Sequence, residues 1–219
     1  MKFKAVLFDL DGTLLDTLKD LADSMNLALE QLGFKTHPAE AYKYIVGDGI
    51  ETMARRALPE NNRDSKSISK CIELTRQNYS RLWSVNTKPY PQITELLNEL
   101  QKRNITMAVL SNKPDDFTKK MTVHFLGDYD FKEIRGAGPQ TPIKPNPSAA
   151  LRIAAQNQIS PEQFVYLGDT GTDMKTAVVA GMYPVGVLWG FRKADELIKT
   201  GAKLLIKNPL EVLRLFEKD

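Results

Sequence analysis

Two acidic residues one position apart, Asp9 and Asp11, stand where an apolar run ends in the stretch AVLFDLDGTLL at 5–15. Ala5, Val6, Leu7 and Phe8 have no polar residue at alternate positions, which is the pattern of a strand buried on both faces in a parallel sheet. Carboxylates at i and i+2 on a strand end point the same way, and at about 4 Å and an effective dielectric of about 20 they repel by about 4 kcal/mol. Either a divalent cation offsets that repulsion, or one carboxyl keeps its proton and serves as an acid. Gly12 allows a sharp turn, and Thr13 offers a hydroxyl and an amide to the same space. By itself the stretch also reads as an ordinary strand-ending turn, for which Asp and Gly are common choices.

Three further groups bear on the same chemistry. Asp169 and Asp173 bracket a glycine-containing turn, Gly168-Asp169-Thr170-Gly171-Thr172-Asp173, that leads into a helix. With Asp9 and Asp11 they make a hard oxygen cage suited to Mg²⁺, although Asp173 alone also reads as a helix cap. Lys144 sits in Ile143-Lys144-Pro145-Asn146-Pro147, where two prolines stiffen the backbone that aims its ammonium. A solvated lysine is the plainer reading; beside an acidic crevice the group would neutralise both carboxylates and a phosphoryl group. Ser111 and Asn112 end an apolar strand just before Pro114, where a hydroxyl and nearby amides can hold an anionic oxygen.

The elements that must position these groups follow from hydrophobic periodicity. Leu18, Leu21, Met25, Ala28 and Leu32 form a helical stripe that stops at Gly33, a second helix begins near Pro38, a third covers 50–58, and Ile68, Ile72, Thr75, Tyr79 and Leu82 mark a fourth. Beyond the rigid junction Lys88-Pro89-Tyr90-Pro91 the pattern changes to alternation. A helix with Ile93, Leu96, Leu97 and Leu100 precedes a strand at 106–110, and further strands are expected at 131–135, 164–167, 184–188 and 203–206. Alternating strand and helix predicts an α/β, doubly wound parallel sheet, which binds ligands beyond the carboxyl ends of strands where strand order reverses. If the strands at 5–8 and 164–167 are neighbours there, the polar clusters converge on one crevice.

Composition narrows the classes. The chain has 219 residues, 42% of them hydrophobic, enough for a sizeable core in one or two domains. No apolar run reaches membrane-spanning length, and the few apolar residues before Asp9 are too short for a signal peptide, so a cytoplasmic protein is expected. The single cysteine, Cys71, is expected to pack in a helix. A net charge of +3, with lysines scattered among acids, gives no sign of nucleic-acid binding.

Together, these residues resemble the haloacid dehalogenase superfamily of phosphatases, in its phosphoglycolate-phosphatase-like branch with a helical cap after the first strand. Asp9-Leu10-Asp11-Gly12-Thr13 is similar to the first signature, Ser111 to the second, Lys144 with Pro145 to the third, and Gly168-Asp169 with Asp173 to the fourth. The resemblance covers nearly the whole chain. It implies a Rossmann-like core from 1–15 and 86–219 with an inserted cap at 16–85. It also implies hydrolysis of a small phosphomonoester, 2-phosphoglycolate first, through an aspartyl phosphate on Asp9, with Asp11 as acid and then base. Mg²⁺ would be held by Asp9, the Asp11 main-chain carbonyl and Asp169, with Asp173 behind them; Gly12, Thr13, Ser111, Asn112 and Lys144 would hold the phosphate. Gly47, in the Gly47-Asp48-Gly49 loop, would close over the substrate, and Arg55, Arg56 and Trp189 have no assigned role. His37 and His124 lie away from the acidic cluster in sequence and are read as structural or exposed. A sugar phosphomutase, a pyrophosphatase or nucleotidase on the same scaffold, and a phosphate-binding protein are the competing readings. A monomer or homodimer fits equally.

Overall fold

The structure, a computed structural model, describes residues 3–217. The chain begins with β1 (Ala5–Phe8) and β2 (Leu15–Asp16), then four helices, α1 (Leu18–Gln31), α2 (Tyr42–Ile45), α3 (Ile50–Ala57) and α4 (Ser65–Leu82), and returns through β3 (Lys88–Pro89). Helix and strand then alternate: α5 (Ile93–Lys102), β4 (Thr106–Pro114), α6 (Asp115–Leu126), β5 (Phe131–Ala137), α7 (Ser148–Gln156), β6 (Phe164–Gly168), α8 (Gly171–Val179), β7 (Tyr183–Val187), α9 (Ala194–Lys199) and β8 (Leu204–Ile206).

Six strands form a parallel sheet in the order β5-β4-β1-β6-β7-β8. Every residue of β1 is buried, because the strand has a neighbour on each edge and a packed layer on each face. Alternation divides those faces. Val6 and Phe8 join Val109 and Leu167 in one core cluster, while Ala5 and Leu7 join Ala108, Phe164 and Tyr166 against Ala150 and Ile153 of α7 and Ala177 of α8. From β1 the chain builds outward to β4 and β5, then returns to place β6 on the other edge of β1. Strand order therefore reverses between β1 and β6, and the crevice lies at their carboxyl ends.

The helical segment between β2 and β3 packs on itself. Met25 of α1 meets Cys71 and Thr75 of α4, with the two sulfurs 3.5 Å apart. Its two connections to the sheet run side by side, Leu15 opposite Pro89 and Asp16 opposite Lys88 in an antiparallel ribbon. Buried Asp20 seals that junction, accepting from the Asn86 N–H at 3.0 Å and from the Thr87 N–H and hydroxyl at 2.8 and 2.7 Å.

Three segments depart from expectation. The strand expected to end at 110 continues to Pro114, because β5 resumes pairing there, Pro114 opposite Ala137, after a register irregularity. The helix expected from Pro38 is a 3₁₀ turn, Ala39–Ala41, and the four residues of α2. A 3₁₀ helix, Pro209–Phe216, with an Asn208 cap, ends the described chain where none is expected. No helix of the described residues is long and apolar enough to cross a membrane.

Candidate active site

Asp9 follows β1, Asp169 follows β6, and Asp173 lies in the first turn of α8. One carboxylate oxygen from each lies within 4.8 Å of the others, and all three residues are buried. Glycine permits this approach. A Cβ on Gly12, whose φ of +83° is itself costly for other residues, would collide with the Asp169 carboxylate; a Cβ on Gly190 would collide with Asp169 and the Gly12 carbonyl. Sequence reasoning picks out Gly12 and passes over Gly190, whose neighbour is set by folding alone.

Lys144 is the cation at the centre of the group. Its Nζ is 2.8 Å from Asp9 Oδ1 and 2.7 Å from Asp173 Oδ1, and donates to the Leu110 carbonyl at 3.0 Å. Burial opposes the ammonium charge, yet Asp173 and Asp9 outweigh it and hold the group well above its ordinary range. Asp173 combines both readings the sequence leaves open. Its Oδ2 accepts from the Thr170 N–H and hydroxyl at 3.1 and 2.7 Å, capping α8, while its Oδ1 holds Lys144.

Asp9 Oδ1 also accepts the Leu10 N–H at 2.7 Å. No described residue donates to Oδ2, and Asp9 lines a cavity that it shares with Asp11, Ser111 and Lys113. Burial, reinforced by Asp173 and Asp169 and opposed by Lys144, keeps the Asp9 carboxyl well above the usual carboxylate range. Burial and Asp173 likewise push Asp169 up to about 7, against the Phe191 N–H and the Thr13 hydroxyl that donate to it at 2.8 and 3.0 Å. Carboxylates this closely grouped, with one ammonium among them and only oxygen donors, fit a divalent cation.

The repulsion expected between Asp9 and Asp11 is not how the site is built. Asp9 is opposed by Asp173 and Asp169. Asp11 is met by Lys113, whose Nζ lies 3.1 and 3.0 Å from its two oxygens and 4.5 Å from the centre of the Tyr79 ring. Burial works against the Lys113 charge, and Asp11 and Tyr79 more than restore it. A lysine closing an otherwise apolar strand was the available sign that a carboxylate waits nearby.

The other expected phosphate contacts are distributed differently. Asn112 clamps the backbone: its side-chain carbonyl accepts the Lys144 N–H at 2.7 Å, and its amide donates to the Lys144 and Gly47 carbonyls, each at 3.1 Å. The Gly12 and Thr13 amides are turned inward to the Leu15 and Leu10 carbonyls, at 2.9 and 3.3 Å. Ser111 is buried on the cavity wall, its Oγ accepting the Lys113 N–H at 3.2 Å. The Trp189 indole donates to the Thr13 carbonyl at 3.0 Å and so fastens the turn after β1.

Beyond Asp9 and Asp11 the cavity runs between α6 and the helical segment, with about 60 Å³ of free space. Its walls are mainly apolar, from Leu21, Ile50, Met53 and Phe117, and Gly47 contributes to the rim. Neither Arg55 nor Arg56 lines it; Arg55 pairs with Glu51, and Arg56 with Asp48. Asp48 reaches across to accept the Thr172 hydroxyl at 2.6 Å, tying the 47–49 loop to α8. His37 meets the Ala57 carbonyl, and His124 packs edge-on against Trp83, both away from the carboxylates.

Residues 6–187 match the model of the haloacid dehalogenase-like hydrolase family. A phosphoglycolate phosphatase of Nitrosospira multiformis is 29% identical over 100% of this chain and 97% of its own. One from Neisseria meningitidis is 36% identical over 86% of this chain and 81% of its own. A haloacid dehalogenase-like hydrolase structure from Streptococcus pneumoniae superimposes with a TM-score of 0.88 at 25% identity, covering 99% of both chains.

Proposed function

Since the chain belongs to the haloacid dehalogenase-like hydrolase family, as a phosphoric monoester hydrolase of its phosphoglycolate-phosphatase-like branch, we propose that it hydrolyses a small phosphomonoester through an aspartyl phosphate on Asp9. The helical segment of α1–α4 acts as a cap over that site, and 2-phosphoglycolate is the first substrate to test. The observation that carries this reading is the free Oδ2 of Asp9, held at the cavity by a carboxylate whose other oxygen is pinned by Leu10 and Lys144. A nucleophile fixed in this way needs no reorganisation to meet phosphorus in line.

Asp9 Oδ2 attacks phosphorus, and the bond to the leaving oxygen breaks as Asp11 gives that oxygen a proton. Water then attacks the aspartyl phosphate while Asp11, now a carboxylate, takes the proton. Lys113, in contact with both Asp11 oxygens, keeps Asp11 in place through both steps. Lys144 and the Ser111 hydroxyl meet the oxygens of the transferred group. Asn112 holds Lys144 to that task by its backbone, and Thr13 orients Asp169. Asp9, the Asp11 main-chain carbonyl and Asp169, backed by Asp173, would hold Mg²⁺, which when bound supplies the positive charge that lets a phosphoryl group approach this many carboxylates.

The test is phosphate release from a panel containing 2-phosphoglycolate, a sugar phosphate, a nucleoside monophosphate and pyrophosphate, with Mg²⁺ or a chelator, for wild type and Asp9→Asn. Release that needs both Mg²⁺ and Asp9 is expected. Conversion of a sugar phosphate to its isomer without release would replace hydrolase by mutase, and silence across the panel from folded, metal-loaded protein would overturn the reading.

A further inference from the structure

Two cations line the cavity beyond the nucleophile, and only one has donors to spare. Lys113 is committed to both oxygens of Asp11. Arg76, on α4, lines the same cavity as Asp9 and Asp11. Its guanidinium lies 5.2 Å from the centre of the Phe117 ring, and its Nη2 donates to Asp116 at 2.5 Å. Nε and Nη1 have no hydrogen-bond partner among the described residues. The pair it makes is a surface one, the two side chains 39% and 59% exposed, of the kind that water and ions exchange readily.

Much of the wall near Arg76 is apolar. The Leu21, Met53 and Phe117 side chains offer no donor, and an anionic end of the leaving group set among them would be desolvated without compensation. Each bidentate edge of a guanidinium pairs Nη2 with Nε or Nη1, so a carboxylate that takes Arg76 in a fork uses one of the unpartnered nitrogens and displaces Asp116 from Nη2. Arg76 also sits on the helical segment, whereas the groups around Asp9 belong to the sheet, so the two ends of a substrate would be read by different parts of the chain.

We propose, resting on the phosphatase reading above, that Arg76 is the specificity-determining residue of this site and that it selects short phosphomonoesters whose leaving group ends in a carboxylate. Substrate carboxylate replaces Asp116 on the guanidinium, so Asp116 acts as an internal competitor that keeps Arg76 stacked on Phe117 in its absence. Arg76 takes no part in the phosphoryl step.

The experiment compares 2-phosphoglycolate with 2-hydroxyethyl phosphate, of equal length and with an uncharged end, for wild type, Arg76→Gln, Arg76→Lys and Asp116→Asn. Wild type prefers 2-phosphoglycolate, and Arg76→Gln lowers its kcat/KM about 10- to 100-fold, the range expected for a lost charge-assisted hydrogen bond, mainly through KM. The same variant changes kcat/KM for the neutral ester less than about twofold, Arg76→Lys recovers part of the preference, and Asp116→Asn lowers KM for 2-phosphoglycolate. Equal losses on both esters would make Arg76 a packing residue and overturn the inference while leaving the phosphatase reading intact. So would a wild type that turns over both esters equally. If neither these esters nor any of the wider panel is hydrolysed, the phosphatase reading fails and this inference fails with it.

Discussion

Replacing Asp169 by Asn should stabilise the metal-free protein while removing its activity. The carboxyl is fully buried and pushed up to about 7 by burial and by Asp173; in the unfolded chain it titrates near 4. The native state therefore binds the extra proton between those values. Stability contributed by the neutral form is fully present below about pH 4 and lost as pH rises through about 7, a difference of about 4 kcal/mol. An amide carries no charge to desolvate, and it fits the existing partners: Oδ1 can accept the Phe191 N–H, and Nδ2 can donate to a Thr13 hydroxyl rotated to receive it. The gain in chelator at pH 8 is at most that same figure, and at about 2–4 °C per kcal/mol for a chain of this size it raises Tm by up to about 16 °C. At about pH 4 the advantage vanishes. Mg²⁺ should stabilise wild type more than the variant, because it binds the folded carboxylates. Thermal melts of both proteins between pH 4 and 8, with chelator and with Mg²⁺, measure all of this. A variant that melts below wild type in chelator at pH 8, or a metal-free wild type whose stability is flat across that range, would refute the account of the acidic cluster.

Other perturbations separate the roles of neighbouring groups. Lys113→Met leaves Asp11 without its cation and should cost about 3 kcal/mol in denaturant unfolding, with Asp11→Asn/Lys113→Met recovering part of the stability and none of the turnover. Gly12→Ala combines an unfavourable φ with a collision at Asp169, so phosphate release should fall at least about tenfold while the far-UV spectrum is unchanged. Asp48→Ala cuts the link between the 47–49 loop and both Thr172 and Arg56; with no group lost from the acidic cluster, it should raise KM by about threefold or more and leave single-turnover chemistry nearly unchanged.

How much of this was legible beforehand depended on whether a residue's meaning is local. β1 could be read because a strand buried on both faces must be an unbroken apolar run, and Asp9 and Asp11 became more than an ordinary turn only beside the polar clusters at 111–113, 144 and 168–173. Alternation of helix and strand pointed to a doubly wound sheet but left the adjacency of β1 and β6 as a condition; the structure pairs them, and that brings Asp169 to Asp9. Other residues have meanings that are not local. Asn112 looked like a phosphate ligand, yet it holds the backbones of Lys144 and Gly47, partners 32 and 65 positions away. Lys113 belongs to Asp11 across 102 positions, and nothing in its own neighbourhood names that partner.

The same distinction orders the site itself. Charge at Asp9 is balanced by residues on the sheet and its flanking helices whose backbone positions are set by strand pairing and by the α8 cap. Those positions are stiff, because moving any one of them breaks a ladder or exposes a buried apolar face. Arg76 and the 47–49 loop belong to the helical segment, which meets the rest of the chain through the short β2–β3 ribbon, through apolar packing of Tyr79 and Trp83 on Phe117 and Phe125 of α6, and through polar ties such as Asp48 to Thr172. The charged ties of Asp48 and Arg76 are partly exposed and cost little to break and remake, whereas the apolar packing holds the segment in place. On the readings proposed above, chemistry sits on the sheet and recognition on partly exposed side chains of the helical segment, an arrangement in which leaving-group preference can change through substitutions on α4 while the acidic cluster stays as it is.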